Sequence, residues 1–502
     1  MPQRRIENVN CAMTAVNSHT ALDFISDILE HDPDLVLVYM GHDEFYGPGG
    51  VGSNTADLSK ANPAVRFLLE LRLTALLRRA LKIGYSRDAP LPVRNVMEMM
   101  AAEQEIRYDS PLRKEAVRIF SSNLTKLVTR CRDRQVPVVL CEVSSNLRTQ
   151  EPFGSAHRAG FAEQLEFDAL LQKAGEEQGQ GNLPAALEAA RRAVQLDSTF
   201  ARARYLAGQI LDGLEDTGAA RKEYAAAREM DTVPFRAPAE INRVIHRIAA
   251  DQGVPLVAVD SLLSLGSPGG IAGDEFFLEH LHFNLHGNGW VSRAIAARMY
   301  DVGLPAPRDR WRWREELRPV EYARMAGVTE LDIEIGDQRV HMLKQRWPYL
   351  RAGGIPVPYT SDRDEKMVDL ARAFIHQEID LNEAHIQLGA YYKEKEDLWR
   401  ALPEYLSAFR MSPLDPAPAI EAGELWLRLD QPFEAGRVLV RVLELRPDEE
   451  RGLLLLAHAF LGTGSPERAA ATIARVLQLN PDSAPALALR DTLATMMGPG
   501  AR

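Results

Sequence analysis

Three short apolar runs stand out in the first part of the chain, at residues 35–40, 136–143 and 254–259. A short, continuous apolar run is typical of a strand that is buried on both faces of a parallel sheet. Because helical patterns alternate with these strands, we predict an α/β fold with a doubly wound parallel sheet. A further strand is predicted at residues 6–10, where the chain begins. The predicted helices are residues 17–30, 62–83, 109–133 and 290–300.

A second pattern recurs every 34 residues nearer the C-terminus. The matching positions are Ala401, Ala435 and Ala469; Tyr405, Leu439 and Ile473; and Pro413, Pro447 and Pro481. The pattern resembles the tetratricopeptide repeat, in which small residues let two helices pack closely and a proline ends the second helix. We therefore predict an all-α solenoid. Ala186 and Ala220 have the same spacing and indicate a shorter repeat pair earlier in the chain.

The two patterns predict five segments. The α/β domain is expected in two parts, at residues 1–166 and 235–303. Residues 167–234 are expected to form an inserted repeat pair, and residues 376–497 a C-terminal repeat array. Residues 304–375 are expected to link the sheet domain to that array. Because stacked repeats present extended surfaces, we expect them to bind a protein or peptide partner.

One acid and three histidines lie within eight residues, at Glu279, His280, His282 and His286. A first interpretation is a polar loop with solvated histidines. A second is a metal site in which the three imidazoles are ligands. A third is the acid–base pair of a hydrolase, because an acid three residues before His282 can orient that imidazole as a general base.

The predicted strand at residues 35–40 ends in a polar loop that begins with Gly41, His42, Asp43 and Glu44. Open parallel sheets bind their ligands at the carboxyl ends of strands. A simple connecting turn does not need this many polar side chains. The loop is therefore a candidate substrate-binding segment.

Four stretches resemble, in order, segments of SGNH (GDSL-type) hydrolases that carry tetratricopeptide repeats. They are residues 6–18, 33–48, 145–153 and 277–287. The resemblance implies a parallel α/β sheet and hydrolysis of carboxylic esters, such as acyl or O-acetyl groups on lipids or glycans. It also implies that His282 is the general base and that Glu279 orients it, where the family usually has Asp.

The resemblance also shows departures from the family pattern. Asp43 stands where the family has an Asn that donates to the oxyanion, and losing one such donor lowers the rate about 10²–10³-fold. Ala12 falls near the family's backbone-donor Gly. The nucleophilic Ser of the family precedes the stretch with which this chain begins, so the nucleophile is unknown and is expected upstream of Met1. Either Asn17 or Ser18 can cap the helix predicted at residues 17–30, and capping explains Ser18 without a catalytic role.

Composition narrows the partners further. The net charge of −11 argues against a nucleic-acid partner. Three cysteines without paired spacing imply no disulfide framework, and no cofactor is expected. No run reaches the roughly 18 apolar residues of a membrane span, so the chain as written is expected to be soluble. Full-length relatives carry membrane anchors in some cases, which leaves the compartment open.

Two functions follow from these observations. The first is an SGNH-type ester hydrolase whose repeats bind other proteins. The alternative is a catalytically inactive scaffold, in which the sheet domain is a degenerate hydrolase and the repeats hold a partner.

Overall fold

The computed structural model describes residues 7–53, 96–101, 105–311, 318–350 and 353–497. It divides into two compact units. Unit 1 comprises Met1–Pro319 and Leu343–Pro356. Unit 2 comprises Val320–Met342 and Val357–Arg502.

Unit 1 contains a three-stranded parallel sheet in the order β1-β2-β3. The strands are β1 (Val36–Val38), β2 (Val138–Cys141) and β3 (Leu256–Val257). Val36 lies opposite Val138, and Leu140 lies opposite Leu256. All four residues of β2 are buried, which explains its continuous apolar sequence.

Helices precede and follow each strand of this sheet. The helices of unit 1 are α1 (Ser18–Leu29), α2 (Val96–Ala101), α3 (Pro111–Asp133), α4 (Gln164–Gly179), α5 (Leu183–Leu196), α6 (Ala201–Gly213), α7 (Thr217–Met230), α8 (Ala239–Gln252), α9 (Val259–Gly266) and α10 (Leu285–Val302). Side-chain caps fix several starts: the side chain of Asn17 accepts a hydrogen bond from the backbone N–H of Thr20, and that of Asn284 accepts one from Gly287.

Both faces of the sheet are covered. Val138 and Leu140 join a core formed with α1, α3 and α8. The intervening Val139 and Cys141 join a second core with α9 and α10. Alternate residues of one strand therefore enter opposite cores, as the pleat requires.

Helices α4 to α7 form two consecutive helix–turn–helix pairs between β2 and β3. Their core is built largely from alanines, including Ala186, Ala190 and Ala220, which are fully buried. Tyr205 and Tyr224 complete this core. Small side chains allow the paired helices to approach closely.

The regular secondary structure in the described residues of unit 2 is entirely α-helical. Its helices are α11 (Pro319–Ala326), α12 (Glu330–Lys344), α13 (Glu365–Ile375), α14 (Leu381–Glu394), α15 (Leu398–Met411), α16 (Ala417–Arg428), α17 (Pro432–Leu445), α18 (Glu450–Gly462), α19 (Pro466–Leu479) and α20 (Ala484–Met497). Ala401, Ala435 and Ala469 are all fully buried at the start of successive second helices. At Gly423 an added Cβ would lie 2.7 Å from Leu439, so the helices of this repeat touch through the glycine.

The predicted secondary structure is found with some differences. The three apolar runs form strands, although each strand is shorter than its run. The strand predicted at residues 6–10 is wrong for residues 7–10, which are exposed and unpaired. Instead the Asn10 side chain accepts a hydrogen bond from the backbone of Ala12. The described residues therefore contain a small parallel sheet within a mostly helical chain, and no larger doubly wound sheet.

Further predictions concern a helix, the linker and the bounds of the segments. The helix predicted at residues 62–83 lies outside the described residues. Residues 304–375, predicted as a linker, contain α11, α12 and α13. The bounds of the five predicted segments stay a prediction. Among the described helices, none is both long and apolar enough to cross a membrane.

Candidate functional site

A short turn between β3 and α10 brings Glu279 and His282 together. Phe277 and Phe283 form an isolated antiparallel bridge, and the N–H of Leu278 donates to the carbonyl of His282 at 2.8 Å. Inside this turn the Nδ1 atom of His282 lies 2.5 Å from Oε1 of Glu279. The Glu279 side chain is 1% exposed, whereas that of His282 is 69% exposed. A buried carboxylate thus holds one nitrogen of an accessible imidazole, as acid–base catalysis requires.

Further donors converge on Glu279. The backbone N–H of His282 donates to Oε1 at 2.6 Å, and that of His280 donates to Oε2 at 2.9 Å. The hydroxyl of Tyr349 donates to Oε2 at 2.7 Å. The imidazole of His280 also contacts Oε2. This number of donors fits an ionised carboxylate, since each of its oxygens accepts several hydrogen bonds.

Asp43 is electrostatically coupled to His282. Burial raises the pKa of Asp43 to about 6, and the neighbouring His282 opposes that rise. Desolvation by the surrounding protein lowers the pKa of His282, while Asp43 acts in the opposite direction. Glu279 and His282 are therefore in direct contact, and Asp43 is near enough to His282 for each to influence the pKa of the other.

The surroundings of His42 indicate a structural role. It is buried, and its Nδ1 accepts a hydrogen bond from the backbone N–H of Ala237 at 3.1 Å. Burial, with a contribution from His282, lowers the pKa of His42 to about 3. A neutral, immobilised imidazole in this position supports the loop from inside.

Glu44 points toward the start of α1. Its two carboxylate oxygens accept hydrogen bonds from the backbone N–H and the hydroxyl of Ser18, each at 2.7 Å. Asn123 also donates to the Ser18 hydroxyl at 3.1 Å. Burial raises the pKa of Glu44 to about 7, and the hydrogen bonds from Ser18 oppose this. The Ser18 hydroxyl is occupied by Glu44 and Asn123, and none of its hydrogen bonds within the described residues is to His282.

Two further predicted residues shape or flank the loop. Gly41 has φ of +149°, and a Cβ there would lie 2.6 Å from Ile241, so only glycine fits. Ala12 is exposed. Among the described contacts, none joins Ala12 to Glu279 or His282.

The three histidines do not converge as metal ligands. The His280 and His282 rings lie 6.3 Å apart and nearly perpendicular. His286 stacks on Phe276, and its Nε2 accepts a hydrogen bond from the Trp290 indole at 2.9 Å. Within the part of the chain that the structure describes, no group of His, Cys, Asp and Glu could hold a metal ion. The metal interpretation therefore has no support here.

A second candidate site is a groove between α4 and α6, the first helices of the two inserted pairs. Its volume is about 510 Å³. The side chains that form it include Asp168, Leu171 and Gln178 from α4 and Arg202, Leu206 and Gln209 from α6. Leu171 and Leu206 form an apolar base, because both pack against the alanine core. Within the described chain, the amides of Gln178 and Gln209 have no hydrogen-bond partner and are available to a ligand.

The first helices of the helix pairs in unit 2 differ from this groove, because their charged side chains already pair with one another. Lys393 on α14 contacts Glu421 at 2.7 Å and Glu424 at 3.0 Å, both on α16. Arg451 on α18 contacts Glu421 at 2.6 Å and also contacts Glu424. Two cations and two carboxylates thus neutralise each other across α14, α16 and α18, the first helices of three successive helix pairs.

Comparison with known families confirms the predicted repeats in part of the C-terminal array, while the earlier pair at residues 167–234 stays a prediction. Residues 427–493 match the family model described as tetratricopeptide repeat. This region contains α17, α18 and α19. The chain therefore carries tetratricopeptide repeats. No curated protein matches the sequence.

Several solved structures are similar to this chain. The first repeat domain of Spaghetti (RPAP3), bound to the HSP90 peptide SRMEEVD, is 16% identical over 23% of this chain and 92% of that chain, with a TM-score of 0.23. The repeat domain of Arabidopsis OM64 is 16% identical over 23% of this chain and 94% of its own, with a TM-score of 0.22. YrrB, a repeat protein with an unusual peptide-binding site, is 13% identical over 66% and 95%, with a TM-score of 0.22. Such TM-scores carry no structural argument, so the repeat assignment rests on the family match and on the helices.

Sequence reasoning missed two features of these sites. Tyr349 lies in the predicted linker, where no motif marks it. The groove could have been found, because its lining follows the spacing of the first helices: Leu171 and Tyr205 are 34 residues apart. The resemblance to hydrolases stays a prediction.

Proposed function

We propose that this chain is a peptide-binding scaffold and that the groove between α4 and α6 holds an extended segment of a partner protein. The single observation that carries this proposal is the open groove itself. Its volume of about 510 Å³ lies within the roughly 300–1,000 Å³ of ligand sites. Tetratricopeptide repeats elsewhere in the chain support the same general role.

The lining indicates the chemistry of the partner segment. Leu171 and Leu206 offer an apolar base that an aliphatic or aromatic side chain would cover. Amide side chains carry both donors and acceptors, so Gln178 and Gln209 suit the main chain of an extended peptide. The exposed Arg202 can pair with one carboxylate of the partner, whereas Glu151 and Asp168 in the same lining disfavour a strongly acidic segment.

The repeats of unit 2 support this choice of groove by contrast. Lys393, Glu421, Glu424 and Arg451 already satisfy one another. A partner that used these charges would first have to break existing ion pairs. The groove in unit 1 requires no such exchange.

Selection of peptides from a displayed library tests this proposal. The full chain is the target, and a parallel selection uses the Leu206→Glu variant, which places a charge on the apolar base. We expect recovered peptides to share an apolar residue and an acidic residue and to be absent from the variant selection. The same peptides recovered on both targets would argue against the groove.

We also propose a second candidate function, ester hydrolysis at Glu279 and His282. It is favoured by one specific observation: a buried carboxylate lies 2.5 Å from Nδ1 of an exposed imidazole. His282 would act as the general base, and the SGNH-like sequence suggests acyl or O-acetyl esters as substrates. The nucleophile in this proposal is unassigned.

Hydrolysis of p-nitrophenyl acetate tests the second candidate. We expect a slow, measurable rate that His282→Gln abolishes and that His286→Gln leaves unchanged. The His286 variant is a matched control, because that ring lies in the same segment and stacks on Phe276 instead of contacting Glu279. Equal rates in all three proteins would remove this candidate.

A further inference from the structure

Tyr349 belongs to the segment Leu343–Pro356 of unit 1 and contacts Glu279. The hydroxyl of Tyr349 lies 2.7 Å from Oε2 of Glu279 and 2.5 Å from Nδ1 of His280. A hydrogen bond from the Leu350 N–H to the carbonyl of Arg346 at 2.9 Å closes the turn that carries Tyr349. The contact is therefore built by an ordered turn.

Aromatic packing fixes the direction of the Tyr349 ring. The ring meets Phe153 edge to face, with centroids 5.0 Å apart. It also meets His280 at 5.7 Å. Leu343 and Trp347 pack beside it against the core that contains Phe153. These contacts hold the ring so that its hydroxyl lies against Oε2 of Glu279 and Nδ1 of His280.

The two oxygens of Glu279 have different partners. Oε1 accepts from the backbone N–H and from Nδ1 of His282. Oε2 accepts from Tyr349 and from the backbone N–H of His280. Rotation of the carboxylate would therefore break hydrogen bonds at both oxygens at once. The donor on Oε2 stabilises the orientation that places Oε1 against His282.

From this geometry we propose that Tyr349 is a positioning residue, which locks the Glu279 carboxylate so that its other oxygen orients His282. The inference rests on the proposed acid–base role of His282 and adds a residue that the sequence resemblance does not supply. Burial raises the pKa of Tyr349, so the phenol stays a neutral donor. By sharing the negative charge of Glu279, this donor also weakens the attraction between Glu279 and a protonated His282.

The test is a titration of His282 by nuclear magnetic resonance in the full chain, with nitrogen-15 labelled histidine and assignment through His282→Gln. In Tyr349→Phe we expect the pKa of His282 to rise by about half a unit or more, because Glu279 loses a donor that shares its charge. We also expect a mixture of ring tautomers in place of a single Nδ1–H form. Tyr205→Phe is the matched control, since it removes another buried phenol, one that donates to the carbonyl of Arg148.

A second substitution at Tyr349 should shift the pKa of His282 in the opposite direction while it preserves the shape of the side chain. Replacing Tyr349 with 3-fluorotyrosine makes the phenol a stronger donor, and we expect the pKa of His282 to fall. An unchanged His282 titration in both Tyr349 variants would overturn the proposal. The resonance measurement needs no substrate, so absence of ester hydrolysis would count against the second candidate function and leave the positioning role to be decided by the titration.

Discussion

Nδ1 of His385 lies 2.5 Å from Oε2 of Glu404 in the interior of unit 2. His385 is fully buried, and Glu404 is 2% exposed. On its other side, Nε2 of His385 lies 3.6 Å from Asp332. An imidazolium between two carboxylates thus joins α12 to the helix pair α14–α15.

This arrangement predicts a loss of stability at alkaline pH. Burial alone lowers the pKa of His385, but the carboxylates of Glu404, which accepts a hydrogen bond from Nδ1, and of Asp332 outweigh burial and raise the pKa to about 9. A folded-state pKa above the unfolded value of about 6.5 means that the stabilisation is complete below pH 6.5 and is lost as pH rises through 9. The effect is on the order of 3 kcal/mol.

Hydrogen exchange of residues 381–411 is measured as a function of urea concentration at several pH values from 6 to 10. Each series gives a urea midpoint for this helix pair. We expect the urea midpoint to fall with rising pH in the wild type. In His385→Gln the midpoint should be lower at pH 7 and flat with pH. His376→Gln, which changes an exposed histidine of the same unit, should retain the wild-type slope.

The protonation state of Asp43 should make the rate of hydrolysis at His282 depend on pH. Its pKa of about 6 makes the carboxyl a neutral donor only in mildly acidic solution. The lowered pKa of His282 keeps that base neutral in the same range. We therefore expect the rate on p-nitrophenyl acetate to rise as pH falls from 8 to 6. An Asp43→Asn variant, whose amide donates at every pH, should exceed the wild type at pH 8 by ~10-fold or more. Superimposable pH profiles would contradict this role for Asp43.

Packing in the core of unit 2 predicts that truncation of Leu388 lowers the free energy of unfolding strongly. Its side chain is fully buried in the cluster that unites α12 to α16. Leu388→Ala should lower the free energy of unfolding by about 2–5 kcal/mol, because it removes buried apolar atoms and leaves a cavity. The control Leu414→Ala changes a side chain that is 80% exposed and should stay within about 0.5 kcal/mol of the wild type. Similar urea midpoints for both variants would contradict the packing described.

The ion network of unit 2 predicts a modest, salt-sensitive coupling. A double-mutant cycle with Lys393→Met and Glu421→Gln isolates the pair, whose side chains are 24% and 22% exposed. We expect a coupling energy of about 1 kcal/mol in dilute buffer that decreases in 1 M salt, because both groups retain contact with solvent. A coupling that does not change with salt would indicate that solvent does not reach these charges.

The sequence was most informative where a period or an apolar run had one physical meaning. The buried alanines at positions 401, 435 and 469 follow from their spacing, since only small residues fit between paired helices. The run at residues 136–143 predicted a strand with two buried faces, and β2 has this burial. The start of α1 followed from the capping side chain of Asn17.

The same reasoning failed where long-range contacts decide the structure. Glu44 was expected in a substrate loop, but its carboxylate accepts hydrogen bonds from Ser18, which is 26 residues away. Tyr349 reaches Glu279 across 70 residues, and no local pattern encodes such a contact. Residues 7–10 have strand-like sequence, yet nothing in the described structure pairs with them.

The most direct test of the central claim, that the groove between α4 and α6 binds a peptide, is a calorimetric comparison of two variants. A library-selected peptide is titrated into the wild type, into Leu171→Glu and into Leu165→Glu. Both variants add a charge to α4, but Leu171 forms the base of the groove, whereas Leu165 is 88% exposed. We predict that Leu171→Glu weakens binding at least ~10-fold, because a charge replaces an apolar contact, and that Leu165→Glu binds like the wild type. Equal affinities for all three proteins would contradict the account.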